Sequence, residues 1–451
     1  MTAVSVSDSA SSGAAPWPSP IRAWYVVAVL AFAYAFAILD RIAIGILVIP
    51  IQTDLGLTDT QMGLLQGAAF GVSYSLFAIP LGYFVDRYSR RTLLAAGIFT
   101  WSVATIMCAY ARDFMSFFIA RVFVGIGEAS VSPGAASLIA DHFPPERRGR
   151  AFSVFMLGST LGIGMAYLLG AVALHLSGFV AGLGWSLLAG MKNWEIVFIL
   201  IGVPGMLLTA LFLATVREPA RREKVSAATG STVSLKQTLV RNRFAYLAVI
   251  SGAALIMITV YAQLAWLPTY FIRRYGWSAS EVSIAFGVGF LPIGILSSLS
   301  AGWMLNWLRK RGRQDAPLLA IAIQAVVVMT CGTLMCVSPS APLAYFGFIL
   351  VTVPGTWSYV AALAGLNEIT PNELRGRVTG LFTLVTGLVS LGGGAFAVGF
   401  LSDNFFPGPN GVGLGLLVVN LVATVIAAAI VLLTAKEYRA TVGRSIWLGQ
   451  A

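Results

Sequence analysis

Apolar runs of about 20 residues recur from one end of this chain to the other, and each is long enough to cross a bilayer as a helix. They lie near residues 22–50, 61–85, 92–111, 114–141, 150–178 and 194–216, then near 244–271, 280–307, 316–338, 341–368, 374–402 and 411–436. No water-soluble fold hides twelve such segments. Of the 451 residues 58% are hydrophobic and only 10% charged, against about a quarter charged in soluble domains. The fold class expected is an all-α membrane protein of twelve transmembrane helices in two related six-helix bundles.

The basic residues set the expected orientation. The loops after the even-numbered runs, together with the two ends of the chain, hold about 23 of the 29 Lys and Arg, whereas the opposite loops hold Arg112, Lys192, Arg273 and Arg274. Under the positive-inside rule both termini are cytoplasmic. The net charge of +11 is thereby explained by topology, and nucleic-acid binding is not expected.

Residues 1–21 read as a disordered cytoplasmic tail, 22–217 as one bundle, 218–243 as a cytoplasmic linker, 244–437 as a second bundle and 438–451 as a second tail. The halves resemble each other. GLTDTQMGLL (56–65) aligns with GWSASEVSIA (276–285), and the Arg-Gly-Arg of PERRGRAFSVF (145–155) aligns with that of PNELRGRVTGLF (371–382). Duplicated halves of this kind are the internal symmetry of secondary transporters, with the site between them near midplane.

Four charges stand deep inside the apolar runs: Asp40 and Arg41 in the first, Arg121 and Glu128 in the fourth. Each costs about 2.5–3.5 kcal/mol at a bilayer centre on insertion scales, so each requires a partner or a function. Adjacent helical residues point about 100° apart, so Asp40 and Arg41 do not neutralise each other. Arg121 and Glu128 are seven residues apart on one helix face, with Gly125 between them allowing a neighbour to come close. The four sum to zero charge. The pairing expected is Asp40 with Arg121 and Arg41 with Glu128, the set forming a proton-coupling site with Asp40 as proton acceptor and Arg41 as its switchable partner and anion contact. Further candidates for substrate contact are Gln66, Tyr261, Gln263, Trp266, Trp357, Tyr359 and Asn367. Cys108, Cys331 and Cys336 make no disulfide or zinc pattern, and His142 and His175 lack ligand neighbours. No metal, cofactor or enzymatic activity is expected.

The loop GYFVDRYSRRTLL resembles the signature of the major facilitator superfamily through Gly82, Asp86, Arg87, Arg90 and Arg91, with Ser89 where a glycine is common. The resemblance implies a cytoplasmic latch between the halves, and a carboxylate such as Asp86 is stabilised at a partner helix's N-terminus. The second half carries a worn copy, GWMLNWLRKRGR, with Asn306 at the acidic position. The fragments LDR, GLLQ, GYFVDRYSRR and above all RVFVGIGEASVSPG resemble the spinster family. That resemblance implies a carrier driven by the proton gradient, moving a lysolipid or sphingolipid-like amphipathic anion, with Asp40, Arg41 and Glu128 as functional residues; the short loops and compact tails point to a bacterial member in the cell membrane, and a monomer is expected. Proton symport of sugar acids is the alternative within the superfamily, and a lipid-conducting channel or a non-transporting receptor the alternative outside it.

Overall fold

The computed structural model describes residues 17–182, 190–221 and 234–448. The first tail through residue 16, linker residues 222–233 and the last three residues lie outside the described residues. Among the described residues twelve helices are long and apolar enough to cross a membrane. Spans 1 to 6 are Pro20–Ile46, Asp59–Arg87, Arg90–Ala109, Phe114–His142, Pro145–Val180 and Asn193–Thr215. Spans 7 to 12 are Arg243–Tyr275, Ala279–Lys310, Ala316–Val337, Ala341–Ile369, Asn372–Asn404 and Gly411–Arg444. The chain is a multi-pass integral membrane protein of two helical bundles. Two segments expected as connections are helical: Leu235–Arg241 in the linker, and the last helix, which continues to Leu448. Tyr438 explains the second, since it is buried and its hydroxyl donates to Glu368 at 2.8 Å.

Several spans are not regular, and most irregularities have a local cause. Proline lacks the N–H that would bond four residues back, which weakens a helix there; Pro80, Pro204, Pro268 and Pro292 nevertheless lie inside continuous helices, whereas two spans unwind beside a proline. Span 4 unwinds at Ala129–Ser130, ahead of Pro133, and span 10 unwinds over Val353–Thr356, which contains Pro354 and Gly355. The first span ends at Ile46, and Val48–Leu55 continues as a short helix around Pro50. The breaks in spans 4 and 10 occupy corresponding places in the two halves. Spans 2 and 11 each contain a π-helical turn, Leu64–Ala68 and Thr386–Leu391, a feature frequent at functional sites.

Two helix pairs form the closest seams between the bundles, and spans 1 and 7 also touch, where a Cβ on Gly45 would lie 3.2 Å from the Ala265 carbonyl oxygen. Spans 2 and 11 touch through Gly63, Gly67 and Gly71, spaced one helical turn apart. A Cβ on Gly67 would lie 2.5 Å from the Gly392 carbonyl oxygen, and one on Gly63 would lie 2.6 Å from that of Ala395. Spans 5 and 8 touch through Gly164 and Gly287, and Tyr167 stacks on Phe290 with ring centroids 5.6 Å apart. Lipid tails give helices no hydrophobic reason to associate, so such close backbone approach supplies the adhesion.

At the end that holds the loops after spans 1 and 7, polar groups also join the halves. Arg273 donates to both oxygens of Asp59 at 2.8 Å and to Gln52 at 2.7 Å, and Ser402 donates to Asp59 at 2.7 Å.

If the span 2–11 seam holds the bundles together, Gly67→Leu should overpack it by about 1–3 kcal/mol. Its thermal midpoint in detergent is expected to fall by several degrees, while Gly302→Leu, with nothing within 4 Å of its Cβ, should melt like the wild type.

Candidate functional site

The break in span 4 makes Glu128 the last residue of its first half-helix. A carboxylate there meets the negative end of the helix dipole, so it needs a cation. Arg41 supplies it: Nη2 and Nε both lie 2.6 Å from Glu128 Oε2. Seven residues earlier on span 4, Arg121 Nη1 lies 3.0 Å from Asp40 Oδ2, and Thr105 of span 3 donates to Asp40 Oδ1 at 2.9 Å. Gly125 lets span 2 come close enough to roof this network, since a Cβ there would meet the Phe70 carbonyl oxygen at 2.6 Å. The Phe70 ring serves both cations, with the Arg41 Cζ 4.6 Å and the Arg121 Cζ 5.5 Å from its centroid. Tyr74 adds a second aromatic face to Arg41 at 4.9 Å.

Burial separates the two pairs. Asp40, Arg121 and Glu128 are at most 1% exposed, whereas the Arg41 side chain is 18% exposed. Of these four groups, Arg41 is the one a solute can touch. Glu128 Oε1, also buried, has no hydrogen-bond partner.

Around Arg41 the hydroxyls of Tyr34, Tyr74 and Tyr261 lie close enough to interact with its charge, and Tyr359 interacts with Tyr34 and Tyr74. The structure therefore brings Tyr261 toward Arg41, places Tyr359 nearer Tyr34 and Tyr74 and against the Phe382 ring, and adds Tyr34, Tyr74, Phe70 and Thr105, which the sequence reading missed. Tyr34 is seven residues before Arg41 on one helix face, and Phe70 and Tyr74 are four apart; those spacings were the available signal.

Other expected contacts are engaged elsewhere. Trp266 is fully buried and its indole donates to the Ala395 carbonyl oxygen at 2.8 Å, so it packs span 7 on span 11. Gln263 turns into its own bundle and donates to Asn420 at 3.3 Å. Trp357 donates to Ser300 at 2.8 Å beside the break in span 10. Gln66 sits in the π-turn of span 2 with its buried amide nitrogen unpartnered. Asn367 is exposed, and its carbonyl oxygen accepts from Arg375 at 3.0 Å.

The loop after span 2 is built around Arg90, which is 1% exposed and binds Asp141 and, at 2.7 Å, Glu218. Arg221 donates to the carbonyl oxygens of Val85 at 2.8 Å and Tyr88 at 2.6 Å, fixing the end of span 2. The Arg91 side chain donates to the Leu213 carbonyl oxygen. These contacts tie the loop to the first bundle and to the start of the linker. Arg87 lies over Tyr83, Gly82 has open space around its α-carbon, and the carboxylate of Asp86 has no partner among the described residues. Burial alone would lift the Glu218 carboxyl, but the Arg91 N–H and the Arg90 guanidinium hold it below the ordinary glutamate range.

Twelve spans in two bundles, the first holding a buried charged network, are the architecture of a membrane carrier. The Major Facilitator Superfamily model matches residues 30–394, and the chain belongs to that superfamily. It is a transporter rather than an enzyme. An MFS-type efflux pump of Mycolicibacterium smegmatis is 25% identical over 422 residues, covering 93% of this chain and 94% of the relative. A probable galactarate/D-glucarate transporter of Bacillus subtilis is 26% identical over 400 residues, covering 82% and 83%. The crystal structure of a bacterial homologue of the human lysosomal transporter Spinster, inward-facing and occupied, superposes with a TM-score of 0.80 at 23% identity. It covers 93% of this chain and 98% of the homologue.

Removing one partner of a buried ion pair strands the other, at about 3–5 kcal/mol. Arg121→Gln is expected to lower the thermal midpoint more than Asp40→Asn/Arg121→Gln does; additive losses in the four-protein cycle would show that the pair is uncoupled. A depressed carboxyl stabilises the fold above its unfolded value of about 4.5 and stops doing so as pH falls through the lower folded value. The gap in thermal midpoint between wild type and Glu218→Gln should be full at neutral pH and close as pH is taken below that value. An equal gap at both extremes would remove the charge from the explanation.

Proposed function

We propose that this protein is a proton-coupled secondary transporter that works by alternating access and carries an amphipathic organic anion of the lysolipid or sphingolipid type. The distribution of Lys and Arg supports cytoplasmic termini in a bacterial cell membrane. The end sealed by Asp59 and Arg273 is then the outer end, and Arg41 is reached from the cytoplasm.

The observation that carries the reading is the neutralised, partly exposed Arg41. An anion entering the cavity competes with Glu128 for the guanidinium. A proton on Glu128 removes the competitor, and the planar fork of arginine then takes a phosphate or carboxylate at two points. This changes the role given to Asp40. Its partner in the structure is Arg121, which is 0% exposed, so a proton on Asp40 releases a cation the substrate does not reach. Glu128 becomes the release switch, and Asp40 the group that keeps Arg121 neutral and poises the network. Proton and substrate favour the same rearrangement, each by no more than its differential affinity for the two states.

The aromatic wall of Phe70, Tyr34, Tyr74, Tyr261 and Tyr359 fits an amphipathic tail. The hydroxyls on that wall favour a second reading, a sugar acid, in keeping with the galactarate/D-glucarate relative.

The test is proton flux into proteoliposomes holding a pH-sensitive dye, with a lysophospholipid added first and a hexonate second. A lysophospholipid-evoked flux that is lost in Glu128→Gln and in Asp40→Asn is the expected outcome. A response to hexonate alone moves the substrate to sugar acids, and an undiminished flux in Glu128→Gln defeats the switch. Arg41→Lys should reduce the rate several-fold, because a point charge replaces a fork.

A further inference from the structure

The stretch GWMLNWLRKRGR (302–313) carries the end of span 8 and is the counterpart of the loop after span 2. Aligned on Gly82 and Gly302, it sets Asn306 against Asp86, Lys310 against Arg90 and Arg311 against Arg91. In the first half those basic residues turn inward. Arg90 is buried on Asp141 and Glu218, and Arg91 reaches the Leu213 carbonyl oxygen. In the second half they turn outward. Lys310 and Arg311 are exposed, and neither side chain has an acidic or hydrogen-bonding partner among the described residues.

The way span 8 ends explains the difference. Gly312 takes a φ of 75°, in the left-handed region. Its N–H donates to the Arg309 carbonyl oxygen at 2.9 Å, and that of Arg313 donates to Leu308 at 3.2 Å. This is a Schellman termination, in which the backbone itself satisfies the last carbonyls. Of the four cations in 309–313, Arg309 pairs with Glu368, and Arg313 binds both oxygens of Asp315 at 3.0 and 3.1 Å. Arg311 folds back instead. Its Cζ lies 3.8 Å from the centroid of Trp307, and Trp307 stacks on Trp303 with centroids 6.2 Å apart. Leu299, Trp303, Trp307 and Arg311 follow one another at four-residue steps, so they form one ridge of the helix. Leu299 is 71% and Trp303 62% exposed, which on a membrane span means that the ridge faces lipid.

We propose that this ridge is a binding site for one anionic phospholipid of the surrounding bilayer. Leu299 lies along an acyl chain, the two indoles sit at the level of the glycerol, and Arg311 with Lys310 holds the phosphate. The ridge rises about 18 Å from Leu299 to Arg311. That is the depth of one leaflet's tails, about half of a 30 Å core, with its head groups added. Indoles favour this interfacial level, and a guanidinium lying over a ring keeps the N–H groups at its edge for a phosphate. Charge selects the lipid. Two cations stand side by side with no carboxylate to neutralise them, and Asn306 removes the acid that Asp86 supplies in the first half. Basic residues at a membrane surface attract anionic head groups. A zwitterionic lipid brings its own ammonium to the same place and is the poorer ligand. The site uses no residue of the charged network and does not rest on the transport reading.

Native mass spectrometry of the full chain in detergent, titrated with phosphatidylglycerol or phosphatidylcholine of the same acyl chains, measures the dissociation constant of the first bound lipid. Lys310→Gln/Arg311→Gln should weaken the first phosphatidylglycerol about twentyfold, roughly fivefold for each charge, and leave phosphatidylcholine unchanged. Lys310→Gln alone should cost about fivefold. Arg87→Gln, which takes one exposed charge from the loop of the first half, should bind phosphatidylglycerol as the wild type does. Both substituted residues are exposed, so the double variant should match the wild type in its lipid-free thermal midpoint. An unchanged affinity for phosphatidylglycerol in the double variant overturns the site. So does an equal loss for the two lipids, or a loss in Arg87→Gln as large as in Lys310→Gln. Displacement of phosphatidylglycerol by inorganic phosphate alone would make the ligand a soluble anion and overturn the lipid assignment.

Discussion

Arg121 and Asp40 face each other 3.0 Å apart with almost no access to water, and most of the first bundle is arranged so that this is tolerable. The attraction in a low-dielectric interior offsets the desolvation of two ions only when geometry is good and the remaining lone pairs are used. Thr105 takes the second oxygen of Asp40, the Leu65 carbonyl oxygen lies 3.5 Å from Arg121 Nε, and Phe70 covers both guanidiniums. Those three groups come from spans 2 and 3. The position of the charges therefore dictates which helices lie beside spans 1 and 4 and how closely.

Close approach is the second constraint, and it is met with glycine. Gly125 brings span 4 to span 2 inside the first bundle, while Gly63, Gly67 and Gly71 bring span 2 to span 11 across the interface. Span 2 is thus shared between the charged network and the seam between the halves. Its π-turn, at Leu64–Ala68, lies where these two contacts meet. A rearrangement among Arg41, Glu128 and Asp40 has a short mechanical path to the interface through this one helix.

Much of this could be read from residue types alone. Twelve spans, the related halves and the four buried charges with their pairing follow from apolar run length, repeated fragments and the cost of an unpaired ion in lipid. What could not be read has identifiable reasons. Aromatic side chains are accepted by lipid, by bundle cores and by a cavity alike, so nothing local told Trp266, locked on the Ala395 carbonyl oxygen, from Tyr261, near Arg41. Gln263 faces Asn420, 157 residues away, a contact no periodicity encodes. The cluster of Gln52, Asp59, Arg273 and Asp403 joins loop and helix-end residues from opposite halves, where polar residues are unremarkable. Pro133 and Pro354 do mark the broken spans, but a long apolar run conceals where the unwinding falls. The π-turns leave no sequence mark at all.

The zero sum of the four buried charges has an electrical consequence. Moving one elementary charge through a potential of 100 mV costs or yields about 2.3 kcal/mol. An empty carrier whose charged network is neutral reorients without moving charge, so the membrane potential neither helps nor hinders its return. On the proposed mechanism one monovalent anion enters together with one proton, and the loaded carrier is neutral as well. Such a cycle is electrically silent: it runs on the difference in pH across the membrane and on the substrate gradient, and a cell could change its voltage without changing the direction of transport.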